Sequence, residues 1–177
     1  MKTNLTKTLR NIAIGGTLAA ATTSAFAVTQ GGLGFTSTGD VDIFLTVADE
    51  VRINNLADIP LSFTGADVTG SSLACVYRNG GTTYQITATG SGAANAFTLT
   101  NGTDTVPYSV EYFDGTTTAA LTSGNTIGAD NAETVDNNCA GVGGANASIS
   151  VTVTAIDASP LPADTYSGTL FLLVAPI

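Results

Sequence analysis

Beyond residue 27 no stretch of this chain carries apolar residues at a sustained 3.6-residue spacing; where they are ordered at all, they alternate. Alternation puts successive side chains on opposite faces of an extended backbone, so a strand satisfies it and a helix does not. The clearest run is Asp40 to Ala48. Val41, Ile43, Leu45 and Val47 share one face, Asp40, Asp42, Thr46 and Ala48 the other, and Phe44 falls out of pattern. Val51, Ile53, Leu56, Ile59, Leu61 and Phe63 predict one or two short strands around Asn54-Asn55, with Pro60 at an edge or a strand start. Leu73 to Arg78, Thr83 to Thr89, Ala96 to Thr100, Val106 to Phe113 and Ala147 to Ala155 are rich in strand formers. Asn79-Gly80-Gly81, Gly90-Ser91-Gly92 and Asn101-Gly102 punctuate them, the first reading as a hairpin turn. Residues 114–146 are dominated by Gly, Thr, Ala, Asn and Asp, which predicts a weak strand near 117–122 and a long loop. In Tyr166 to Val174, Leu170, Leu172 and Val174 alternate with Phe171 and Leu173, which predicts a strand buried on both faces. About nine short strands with frequent turn signals predict an all-β sandwich.

The first 27 residues read differently. Lys2, Lys7 and Arg10 precede the apolar run Ile12 to Ala21, and Ala25-Phe26-Ala27 offers a small-x-small cleavage site. That is the layout of a secretory signal peptide, and its apolar run is too short to span a bilayer. The expected organisation is therefore a signal peptide over 1–27, a flexible lead and alternating segment over 28–49, and a β-sandwich over 50–177. Export to an oxidising compartment makes Cys75 and Cys139, the only two cysteines, a structural disulfide.

Charge removes several function classes. After residue 27 only Arg52 and Arg78 stand against all 14 carboxylates. Binding to nucleic acid needs several Lys or Arg contacts to phosphate, so no nucleic-acid partner is expected. The chain has no His, and no Lys beyond Lys7, so neither a His-activated serine nor a Ser–Lys dyad is available. Asp40 with Asp42, or Glu111 with Asp114, could be imagined as glycosidase carboxylates, but the absence of Trp removes the usual sugar platform. No catalytic site, cofactor or metal site is expected. The segment Asp130 to Asn138 carries oxygen ligands suited to calcium but lacks the spacing of an EF-hand, and a solvated acidic loop explains it more simply.

A sandwich lacking one edge strand would expose a hydrophobic groove and unpaired backbone groups. An alternating segment tethered to another copy could fill it, with Val41, Ile43, Leu45 and Val47 entering successive pockets. Head-to-tail linkage of that kind makes a filament. Equally, residues 40–48 could be the first strand of the chain's own sandwich, and the residues alone leave both readings open.

The signal peptide, the alternating segment and the ending Thr165-Tyr166-Ser167-Gly168-Thr169-Leu170-Phe171-Leu172-Leu173-Val174 together resemble bacterial chaperone–usher pilins and the related spore-coat-U-like secreted proteins. The resemblance implies an incomplete immunoglobulin-like fold, completed by a donor strand from a periplasmic chaperone and then from the next subunit. It implies an outer-membrane usher, transit through the periplasm to a surface fimbria, and a role in adhesion or biofilm formation. By position, Val41, Ile43, Leu45 and Val47 would form the donor strand, and Leu170, Leu172 and Val174 the strand bordering the acceptor groove. The alternative function is a monomeric secreted sandwich that binds glycan or matrix, with calcium at the acidic loop.

Overall fold

The computed structural model describes residues 28–177 and divides the chain into two units, one ending at Thr46 and the other spanning Val47–Ile177. The signal-peptide reading of residues 1–27 lies outside the described residues. From Val28 to Thr46 the chain forms no strand or helix, and the Asp40 N–H donates to the Thr29 carbonyl at 3.2 Å. The strand expected over 40–48 does not form: Val41, Ile43, Leu45 and Val47 are 71–89% exposed. An alternating segment holds an extended ladder only against a partner edge, and among the described residues no strand pairs with it.

The second unit is a sandwich of antiparallel sheets. One sheet has five strands in the order β1 (Val51–Asn54), β2 (Val68–Arg78), β9 (Ala147–Val153), β6 (Ser109–Phe113) and β7 (Thr118–Leu121). The other has three, β10 (Leu170–Pro176), β3 (Tyr84–Gly90) and β8 (Thr126–Ala129). A two-stranded ribbon, β4 (Thr98–Thr100) with β5 (Thr105–Pro107), turns at Asn101-Gly102, and a single helical turn, α1 (Ala155–Ala158), follows β9. Alternation places Tyr84, Ile86 and Ala88 of β3 and Ile149, Val151 and Val153 of β9 in one buried core. The Tyr84 and Tyr112 hydroxyls meet at 2.6 Å within it, joining the two sheets. Burial pushes the Tyr84 hydroxyl up to about 12 despite that hydrogen bond, and raises Tyr112 as well, so both stay protonated at neutral pH.

β2 is the longest strand, and three partners share its edges. β9 pairs with Val68 to Ala74 and then departs. From there the loop takes over: Asn146 Oδ1 accepts the Val76 N–H, its Nδ2 donates to the Val76 carbonyl, and the Glu133 N–H donates to the same carbonyl, all at 2.8 Å. The disulfide Cys75–Cys139 fixes this cover with Cα atoms 5.8 Å apart. Ala74 and Val76 face the core and Cys75 the loop, so three consecutive residues are completely buried.

Several expectations are corrected. Asn79-Gly80-Gly81 is not a hairpin turn, because β2 and β3 lie in different sheets and the turn carries the chain between them. The C-terminal strand starts at Leu170 and is covered on one face only: Phe171 and Leu173 are exposed on the other. The single strand expected over Val106 to Phe113 is two, separated at Tyr108, whose ring stacks on Phe97 with centroids 5.6 Å apart. β8 forms in the expected loop, held by four residue pairs with β3.

Two outcomes follow for stability. Replacing both cysteines with Ala should cost about 2–4 kcal/mol, read as a lower urea midpoint, since the bridge closes a long loop of the unfolded chain. The Asp114 carboxylate accepts the N–H groups of Thr116, Thr117 and Asp130 at 2.9, 2.7 and 3.2 Å. Burial raises its pKa, but these hydrogen bonds outweigh burial and hold it below the ordinary carboxylate range. Its contribution is therefore present above the unfolded value of about 3.9 and lost as pH falls through the lower folded value. Melting temperature should fall with acidification below about pH 4, and Asp114→Asn should flatten that fall.

Candidate functional site

The first strand of the sandwich leaves its sheet early. β1 pairs with Cys75 to Arg78 of β2, and then Asn55 adopts a left-handed conformation at φ 62. Asn tolerates that region better than most residues because its short side chain can bond locally. Here Asn55 Nδ2 donates to the Gly144 carbonyl at 2.8 Å, and Asn54 Nδ2 to the Asn137 carbonyl at 3.2 Å, so the turn is pinned to the disulfide loop. From Asn55 on the chain runs irregularly to Phe63, so of the one or two short strands expected around Asn54-Asn55 the first forms as β1 and no second follows it. The Ala57 N–H is satisfied by the buried Ser72 hydroxyl at 2.8 Å. Ile59 and Leu61 lie over Gly70 of β2, where an added Cβ would come within 2.5 and 2.8 Å of their side chains.

This course opens a groove of about 1080 Å³ between the two sheets. Leu56, Ile59, Leu61 and Phe63 line it from the first crossing, and Leu170 and Leu172 from β10. Ile149, Val151 and Val153 of β9 reach it from the core, and Leu161 and Tyr166 come from the segment between α1 and β10. That segment is held in place from several directions. The Thr169 N–H donates to the Ser91 hydroxyl at 2.8 Å, the Thr100 and Ser167 peptides exchange hydrogen bonds at 2.9 Å, and Asn101 Nδ2 donates to Asp164 at 3.0 Å. β10 pairs with β3 along one edge from Leu170 to Pro176 and, among the described residues, has no strand on its other edge. The groove thus combines apolar walls with an open strand edge. Such a site recognises an extended peptide by main-chain hydrogen bonds and alternate side chains.

Of the sequence-derived residues, Leu170 and Leu172 line this groove, whereas Val174 packs against the core beside it. Val41, Ile43 and Leu45 belong to the first unit and Val47 to the second, and among the described residues none of the four pairs with a strand. The proposed carboxylate pairs are not brought together as sites. Asp40 and Asp42 are exposed in the first unit, Glu111 points to solvent from β6, and Asp114 is committed to backbone groups. In the acidic loop Glu133 accepts the N–H groups of Thr134 and Val135, and Asp136 those of Asn138 and Ala140. Among the described residues no three His, Cys, Asp or Glu side chains converge to hold a metal. The crossing at 55–63 was missed as a groove wall, and its one signal was Pro60 within an apolar run that lacks strict alternation.

No protein-family model matches the sequence, and no curated protein matches it. A solved structure does match: a chain from a study described as "Chaperone-tip adhesin complex is vital for synergistic activation of CFA/I fimbriae biogenesis". The likeness has a TM-score of 0.51 at 16% identity and covers 72% of this chain but only 41% of that one. At that identity the likeness concerns the fold.

The packing at Gly70 gives a direct check. Gly70→Val should displace Ile59 and Leu61 and destabilise the sandwich by about 1–3 kcal/mol, read from the urea midpoint.

Proposed function

We propose that the chain is a structural subunit of a surface fibre, assembled by insertion of one subunit's residues 40–48 into the groove of the next. One observation carries this reading: the same chain has an open apolar groove along the edge of β10 and an exposed alternating segment that, among the described residues, pairs with no strand. The chemistry is complementary. Val41, Ile43, Leu45 and Val47 supply an apolar face at the two-residue spacing that an extended strand presents to a groove, while the backbone supplies the hydrogen bonds β10 lacks on that side. Insertion into another copy is heterologous, so it propagates as a filament and does not close into a dimer. The fold likeness to a chain of a chaperone–tip adhesin complex supports a fimbrial setting. In that setting a periplasmic chaperone would occupy the groove before assembly, an outer-membrane usher would conduct the exchange, and the fibre would serve adhesion or biofilm formation.

The experiment is gel mobility in SDS, unheated against boiled, for protein produced together with its chaperone and usher. A ladder of multiples that collapses to one band on boiling is expected, because strand-exchanged subunits dissociate slowly. Ile43→Asp with Leu45→Asp should abolish the ladder. Deleting 28–49 should leave a groove-bearing domain that binds an added peptide of residues 40–48. A single band in both lanes, or a ladder that survives the double substitution, would sink this reading in favour of a monomeric binding module.

A further inference from the structure

The corner between β2 and β3 does more than change sheets. Arg78, Asn79 and Gly80 hold Ala48, Asp49 and Glu50, the residues through which the N-terminal segment enters the sandwich. The Arg78 guanidinium, nearly buried, donates to the Asp49 carboxylate from Nε at 3.0 Å and from Nη2 at 2.6 Å. Nη2 also donates to the Ile177 carbonyl at 2.8 Å, just past the end of β10. Nη1 donates to the Thr83 carbonyl. Beside it, Asn79 Nδ2 donates to the Ala48 carbonyl at 2.8 Å, the Glu50 N–H donates to Asn79 Oδ1 at 2.8 Å, and the Asn79 N–H returns to the Glu50 carbonyl at 3.2 Å. Gly80 leaves room for this: a Cβ there would come within 2.5 Å of the Asp49 carboxylate.

Three consecutive residues are thus each gripped separately. Arg78 is one of two basic residues beyond Arg10, and it is spent inside the protein. A buried charge persists only where it is fully paired and hydrogen-bonded, which this one is. The alternative attachment for the N-terminal segment would be β1 alone, a four-residue edge strand. A pull on the end of such a strand opens its ladder one pair at a time.

We propose that the Arg78–Asn79–Gly80 corner is a mechanical anchor, tying the root of the N-terminal segment to the end of β10 so that tension does not peel β1 from β2. In a fibre this would join the strand that borders a subunit's groove to that subunit's own outgoing segment. That consequence rests on the fibre reading; the anchor itself is a property of the single chain.

The chain carries its own reporter. Arg52 is exposed in β1 opposite Tyr77, and trypsin can cut after it only when β1 opens. Full-length monomer, Asp49→Asn and Gly80→Ala would be digested and the 53–177 fragment followed; cuts at Lys2, Lys7 or Arg10 leave that fragment unchanged. Both substitutions are expected to release it about tenfold faster, the factor for loss of one charge-assisted hydrogen bond. Chymotrypsin cleavage after Tyr112, which is buried in the core and needs the sandwich to open, should keep its original rate. An acceleration below about twofold after Arg52 in either variant, or an equal acceleration after Tyr112, would overturn the anchor. Because the assay uses monomer, a missing SDS ladder leaves this result standing, and a normal ladder with unchanged proteolysis removes the anchor alone.

Discussion

The open edge of β10 is the constraint from which the rest of this structure takes its form. A strand seven residues long offers N–H and C=O groups on both sides, and among the described residues β3 is the one strand that answers them. An uncovered edge beside an apolar groove invites pairing with another chain, and proteins that keep one generally use it. The other parts of the molecule can be ordered around that gap. Asn55 diverts the chain away from β2, Ile59 and Leu61 line the groove without forming a strand to close it, and the segment after α1 is tied down by Ser91, Thr100 and Asn101.

Support for the gap comes from the edge of β2 that β9 leaves after Ala74. There, loop residues and a covalent bond do what a strand would do, with Asn146 presenting its amide to Val76 as a peptide group would. The side chain is fully occupied by this role, its Nδ2 donating to the Asn131 carbonyl at 2.8 Å as well. The disulfide fixes the loop from the same side. The end of β2 is thereby covered by loop and side-chain groups, while among the described residues the outer edge of β10 pairs with no strand.

Much of this was legible in the sequence, and the failures have physical causes. Strand-forming residues between turn signals identified β3 and β9, and each has one face in the core, where period two is strictly enforced. Alternation over 40–48 predicted a strand, but the described residues form none there, because an alternating run becomes a strand only when an edge pairs with it. β8 escaped notice because it is short and Ile127 is its one large apolar residue; pairing with β3 makes it a strand. The start of β2, Val68-Thr69-Gly70-Ser71-Ser72, has the composition of a loop and is held extended by β9. The groove left the faintest trace. Its first wall is irregular, so its apolar residues obey neither period, and only tertiary packing over Gly70 gives them an address.

The pairing of β10 with β3 also bears on how the chain reaches this state. Leu170 must find Gly90 and Val68 must find Val153, so both sheets close through contacts between residues far apart in sequence. Folds dominated by such non-local pairings lose loop entropy before any contact rewards it, and they fold slowly. Until β10 docks, the inner face of β3 has an uncovered neighbour position and the apolar walls are open to any other nascent chain. Slow closure with sticky intermediates is the kinetic regime in which a bound escort that occupies the gap protects a chain from aggregation.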